Sequence, residues 1–324
     1  MLRLLVPNGS GFQWIEHAPP AQLTADFLWA DLFEPTAEEE KAVESLLDVD
    51  VPTRDEMKEI ETSNRLYEED GAVYMTATVG TKLDTGTPGS SPITFILADG
   101  RLITNRYVDP LPVHRFMSQV VRSPAACTSA PTLLAGLLEA FVERIADVLE
   151  MVQFELDAVS LAIFPRSPAV SADSHDLQAM IHKIGANGDL ISKSRESLVS
   201  FQRLLVYVQQ STNVTLSQDQ KGRFRSAMRD VQSLSDHATF LNGKVSLLLD
   251  AVLGLINLQQ NNIIKIFSVA AVMFLPPTLV ASIYGMNFHH MPELDQVWGY
   301  PLALLAMVAS AVVPYIYFKR KGWL

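Results

Sequence analysis

The sequence predicts an α/β (α+β) domain at the N-terminus, long helices after it, and two membrane-spanning helices near the C-terminus. Three observations predict this. Residues 1–130 carry short β-rich runs separated by turn residues. Residues 131–262 carry apolar side chains at three- and four-residue spacing over many turns. Two late stretches, Ile266–Phe288 with 23 residues and Val297–Phe318 with 22, contain no Asp, Glu, Lys or Arg. Each reaches the roughly 20 residues that a helix needs to cross a ~30 Å hydrocarbon core.

The strand candidates, in order, are LRLLV (2–6), GFQWI (11–15), DFLWADL (26–32), GAVYMTATVG (71–80) and ITFILADGRLITNRYV (93–108). In the last of these, Asp99-Gly100 between two β-rich runs signals a two-residue hairpin. Thr36, followed by Glu38, Glu39 and Glu40, is a helix start: the hydroxyl caps free N–H groups and the carboxylates suit the positive end of the helix dipole. After Pro131 a helical pattern runs to Pro165, and a second covers about 172–210 despite Gly185 and Gly188. A third starts near Gln220 and, apart from Gly243 and Gly254, meets no breaker before Pro276. At ~1.5 Å per residue it is about 80 Å long, more than a bilayer needs. The same helix therefore serves as stalk and as first membrane span.

The resulting division is a cytoplasmic domain at 1–130, stalk helices at 131–262, a first span at 263–287, an external loop at 288–297, a second span at 298–318 and a basic tail at 319–324. The N-terminus lacks a secretory-signal pattern, and Cys127, the single cysteine, cannot form an internal disulfide. Net charge is −11, and residues 1–100 hold 19 acidic against 6 basic side chains. Such a surface repels nucleic acid and concentrates cations, although an acidic surface needs no ligand to exist. Lys319, Arg320 and Lys321 follow the second span, Lys265 begins the first, and the connection between them has no Lys or Arg. The positive-inside rule then puts both termini in the cytoplasm.

Stepping by four and three from Asp250 gives Gly254, Asn257, Asn261, Ile264, Ser268, Ala271, Leu275, Thr278 and Ser282. Eight of these ten positions are small or polar, and a repeat of this spacing keeps one seam on a common axis in a bundle. Close helix packing explains Gly254, Ser268 and Ala271. It does not explain Asp250, Asn257, Asn261 and Thr278, which are costly in a membrane-continuous helix unless they meet water or a partner. A water-lined pore explains all of them, and it requires several copies of the chain. Ile264 and Leu275 would then form apolar rings able to close it by dewetting, with Asp250 as a carboxylate ring at the cytoplasmic end. Pro276 and Pro277 deprive the carbonyls of Val272 and Met273 of their helical donors, leaving them to hydroxyls, to water or to a kink.

Gly285-Met286-Asn287 at the end of the first span, Met291-Pro292-Glu293-Leu294 shortly after it, and the tail YFKRKGWL resemble the CorA family of magnesium/cobalt transporters. The resemblance is close over residues 257–324 and architectural upstream. It implies a funnel-shaped homopentamer in the inner membrane of a bacterium, with the first span lining the pore. It also implies that Gly285, Met286 and Asn287 form the outer mouth, where the Asn287 amide meets hydrated Mg²⁺, and that Glu293 attracts cations. Mg²⁺ would be both cargo, with Co²⁺ and Ni²⁺, and a regulator bound between cytoplasmic domains. Asp250 is the one regulatory ligand candidate; no organic cofactor is implied.

Two other readings compete. His289 and His290 suggest zinc, but adjacent side chains rarely share one ion, the loop lacks further His or Cys, and the zinc-moving branch departs from Gly-Met-Asn. A membrane-anchored sensor would use the spans only as a tether. No phosphate-binding GxxxxGK[ST] loop, HExxH or nucleophile elbow is present, so neither ATP drive nor enzyme chemistry is expected.

Overall fold

The computed structural model describes all residues except 10, 18–22, 24–25, 86, 125–127, 166–173, 288, 290, 293–294 and 324. Cys127, His290 and Glu293 lie outside the described residues. The chain forms two compact units, Met1–Leu249 and Asp250–Leu324.

In the first unit, strands β1 (Leu2–Asn8), β2 (Gly11–His17), β3 (Trp29–Phe33), β4 (Leu66–Glu69), β5 (Ala72–Thr81), β6 (Gly89–Ala98) and β7 (Arg101–Arg106) make one sheet in the order β2-β1-β3-β7-β6-β5-β4. Every described pairing is antiparallel except β3 with β7. Asp99 and Gly100 turn the β6–β7 hairpin at φ 47° and 74°, the positive values that a tight two-residue turn requires. Helix α1 (Ala37–Leu47) opens with a complete capping box: Glu39 N–H donates to Thr36 Oγ1 at 3.3 Å, and Thr36 N–H donates to Glu39 Oε2 at 2.9 Å.

Alternation along the strands gives the sheet two buried faces. Leu2, Leu4, Ala30, Leu32, Ile96 and Ile103 share a cluster with Val43 of α1. On the other face Trp29 meets Phe116 of α3 (Leu111–Arg122), with ring centroids 5.9 Å apart. Trp14 Nε1 donates to the Met117 carbonyl at 3.1 Å. A four-residue helix α2 (Thr62–Arg65) leads into β4.

Three long helices follow: α4 (Ala130–Ile163), α5 (Ser174–Gln210) and α6 (Gln218–Tyr284). α4 buries Leu134, Leu138, Phe141, Ile145, Val148, Val152, Leu156 and Val159, the three- and four-residue spacing of a packed face. Arg223 grips Glu139 with two hydrogen bonds (3.1 and 2.5 Å), and Lys244 reaches Asp157 at 2.5 Å, tying the first part of α6 to α4. Such partly exposed pairs contribute little, roughly 0–1 kcal/mol each; the buried apolar rows carry the packing.

α6 has 67 residues, so it is about 100 Å long. It passes through Pro276 and Pro277 rather than ending at them. The hydroxyl of Thr278 donates to the Phe274 carbonyl at 2.7 Å, so it does not serve the Val272 and Met273 carbonyls that the prolines deprive. In the second unit α6 is followed by α7 (Gly299–Arg320).

Candidate functional site

Each residue of an α-helix turns the chain by about 100°, so alternate steps of four and three stay on one face. The ten seam positions from Asp250 to Ser282 obey this spacing, and all ten are exposed in the protomer. Val252, Ile256, Gln259, Ala270, Met273, Pro277 and Val280 each lie two positions beyond a seam residue, about 200° round the helix. All seven are buried or half-buried, whereas Ile263, Ile266 and Tyr284, at the same offset from Asn261, Ile264 and Ser282, are exposed. The protomer thus covers the face opposite the seam only at those seven positions, and it leaves the small and polar seam open throughout. Lateral positions are also exposed but large and apolar: Phe267 and Phe274 at 71% and Leu279 at 62%. They suit lipid or a neighbouring helix, whereas Asn257, Asn261, Ser268 and Thr278 suit water. Ile264 and Leu275 interrupt the polar seam, exposed at 61% and 66%.

At its outer end α6 closes tightly. Gly285 N–H donates to the Ala281 carbonyl at 2.9 Å, and Met286 N–H to that of Ile283 at 3.3 Å. A Cβ on Gly285 would stand 3.1 Å from the Ala281 oxygen, so a side chain there forces the last turn to shift. Met286 and Asn287 follow directly, both exposed, and the Asn287 amide has no hydrogen-bond partner among the described residues. The sequence reading put this triplet at the end of the first span; the structure puts it in the turn that follows Tyr284.

α6 and α7 are the two helices long and apolar enough to cross a bilayer among the described residues, and their apolar windows are almost wholly exposed. Water would not tolerate so large an apolar surface. α7 ends in Lys319 and Arg320, and the Lys319 and Lys321 ammonium groups stand over the rings of Tyr315 and Tyr317 at 5.9 and 5.2 Å. Among the described residues no group of three or more His, Cys, Asp or Glu side chains could hold one metal ion. One protomer therefore offers Asp250 alone in the seam, and a carboxylate ring needs further copies.

Comparison with known proteins agrees with this architecture. A family model described as CorA-like Mg²⁺ transporter protein matches residues 24–320. The chain is 35% identical to the magnesium transport protein CorA of Haemophilus ducreyi over 325 residues, covering all of both chains. It is 37% identical to the protein of the same name from Yersinia pseudotuberculosis over 301 residues, 93% of each. Its fold matches the complete structure of the CorA magnesium transporter from Methanocaldococcus jannaschii with a TM-score of 0.77, over 100% of this chain and 99% of that one, at 17% identity. Similarity that spans the whole chain, both apolar helices included, leads to one assignment: the chain belongs to the CorA-like Mg²⁺ transporter family.

Proposed function

We propose that the protein is a channel-type Mg²⁺ transporter of the bacterial inner membrane, with both termini in the cytoplasm, working as a homopentamer whose α6 helices surround the pore. One observation carries this reading: all ten positions of the small and polar seam are exposed in the protomer, open to water or to further copies of the chain. The Asn287 amides at the mouth would hold Mg²⁺ through its waters, because Mg²⁺ dehydrates reluctantly and prefers octahedral oxygen ligands. A neutral ring attracts the ion without trapping it, and Glu293 adds negative charge to the loop. Gly285 and Met286 shape the turn that presents Asn287. Inside, Gly254, Asn257, Asn261, Ser268, Ala271, Thr278 and Ser282 line water, while Ile264 and Leu275 form the constrictions that dewet when the pore narrows.

Flow follows the membrane potential. Moving a charge through 100 mV is worth about 2.3 kcal/mol, so a divalent ion gains about 4.6 kcal/mol, enough for roughly thousandfold accumulation. Co²⁺ and Ni²⁺ pass by the same mouth. Regulation would come from Mg²⁺ bound between protomers in the cytoplasm, where Asp250 is the seam carboxylate available to meet it. Once that metal leaves, the acidic surfaces repel each other and loosen the closed state.

The test is Mg²⁺ entry into proteoliposomes loaded with a Mg²⁺-sensitive dye, for the native protein and Asn287→Ala, repeated with Co²⁺, Ni²⁺ and Zn²⁺. Native entry that collapses in the variant is the expected result. No native entry, even with Mg²⁺ removed from the cytoplasmic side, overturns the pore and leaves a tethered sensor.

A further inference from the structure

The first hundred residues are strongly acidic, yet one groove in the first unit is basic. It lies where α2, β5 and α5 meet, and its walls include Arg65, Thr78, Ser192, Arg195, Ser200 and Arg203. The α5 residues 192, 195, 199 and 203 recur at three- and four-residue intervals, with Ser200 beside Val199, so the helix turns one continuous face to the groove. Ser200 Oγ accepts from Thr78 N–H at 2.9 Å, which fixes α5 on β5 and leaves the serine O–H free to donate.

Arg65 is set in place by its neighbours. Its Nε donates to the Glu59 carbonyl and its Nη1 to Thr78 Oγ1 at 2.9 Å, leaving Nη2 unpaired among the described residues. Burial draws its guanidinium below the ordinary pKa; the pull of Glu196 opposes this and the like charge of Arg203 adds to it. Arg195 and Arg203 are exposed and have no hydrogen bond or ion pair among the described residues. The one carboxylate in the groove, Glu196, already accepts from Ser90 Oγ at 2.7 Å and faces Lys193 Nζ at 3.8 Å. Arg195 and Arg203 therefore add like charge beside Arg65 without a hydrogen bond or ion pair among the described residues, and the one carboxylate in the groove is already engaged. A multiply charged anion removes that repulsion, and the planar guanidinium fork matches phosphate oxygens two at a time.

We propose that this groove binds a solute carrying a pyrophosphate or longer phosphate chain, with Arg65, Arg195 and Arg203 on its phosphate oxygens. The cavity of about 480 Å³ holds such a chain with a nucleoside attached. Ile60, 88% exposed on the rim, offers an apolar contact for a base.

The test is calorimetric titration of the full-length protein in nanodiscs with sodium pyrophosphate and, separately, with ATP and with sodium tripolyphosphate, all free of divalent metal. The variants are R195Q/R203Q, R203E and, as a control on the exposed surface of α6, R225Q. Saturable binding by the native protein and R225Q, weakened about tenfold or more in R195Q/R203Q and further in R203E, is expected. Tighter binding of ATP than of sodium tripolyphosphate, the third probe with the same number of phosphates, assigns a nucleotide; equal or weaker binding of ATP assigns an inorganic polyphosphate. No saturable binding of any of the three probes by the native protein, or unchanged affinity in R195Q/R203Q with its melting temperature intact, overturns the proposal. Because the readout is binding rather than ion flux, the result is independent of the transport reading.

Discussion

Arg106 and Asp31 are both fully buried, 75 positions apart in the chain, and meet through two parallel bonds of 2.9 and 2.8 Å. Asp31 Oδ1 also accepts from Thr104 Oγ1 at 2.8 Å, and Thr104 Oγ1 in turn accepts from Trp29 Nε1 at 3.0 Å. A charge in such a place is tolerated because its donors are matched. Asp31→Ala removes the buried partner and leaves the guanidinium only the more exposed Asp109, and should cost about 3–5 kcal/mol, lowering the melting temperature of the N-terminal domain by roughly 10 °C. Arg106 Nη1 also donates to Asp109, which His114 contacts at 2.6 Å. Burial pushes the Asp109 carboxyl up, but hydrogen bonds from His114 and Arg106 outweigh it and hold the group below its usual value. A depressed carboxylate stabilises the fold above its unfolded pKa, about 3.9, and that stability is lost as pH falls through the lower folded value. Melting curves of Asp109→Asn and native protein should therefore differ at pH 7 and converge only as pH falls below the usual carboxylate range. At the mouth, Gly285→Ala should reduce Mg²⁺ flux while the protein still assembles, because its Cβ would press on the Ala281 carbonyl at 3.1 Å. Unaltered flux in that variant would show that the turn has room to spare.

At the scale of the element, α6 has two unlike faces, and thiol chemistry can tell them apart. In a Cys127→Ser background, Ser268→Cys and Thr278→Cys on the exposed seam should react with a charged, water-soluble thiol reagent and lose flux. Met273→Cys and Val280→Cys, on the half-buried face, should react slowly and keep it. Equal reactivity of Val280→Cys and Thr278→Cys would mean that the seam is not water-lined. The heptad spacing that defines this seam was legible in the sequence, as were the capped start of α1 and the β6–β7 hairpin, because each is a property of neighbouring residues. Short or irregular elements were not: β4 has four residues and owes its existence to β5, with Leu66 opposite Met75 and Glu69 opposite Ala72. α3 carried a readable signal in Pro112 near its start and Val113, Phe116, Met117 and Val120 on one face.

On the scale of the molecule, the seam has meaning only in an assembly. Native mass measurement in a mild detergent should give five chain masses; a monomer or dimer that still conducts would remove the reason for placing α6 around an axis. Mg²⁺ entry should also rise with an imposed inside-negative potential and fall when that potential is collapsed, since each ion carries two charges through the field.

By itself the sequence determined what depends on local periodicity: β-rich runs, long amphipathic helices and two uncharged stretches long enough to span a bilayer. Helix and strand geometry convert residue spacing directly into faces, so no distant residue is needed to read them. The tertiary structure alone decided the parallel β3–β7 pair, the union of Asp31 with Arg106, the placing of Arg65 across from Arg195 and Arg203, and which side of α6 the protomer covers. Each of these joins groups far apart in the chain, and partners of that kind are chosen by burial, charge compensation and packing among all the elements at once, information that no local window of residues contains.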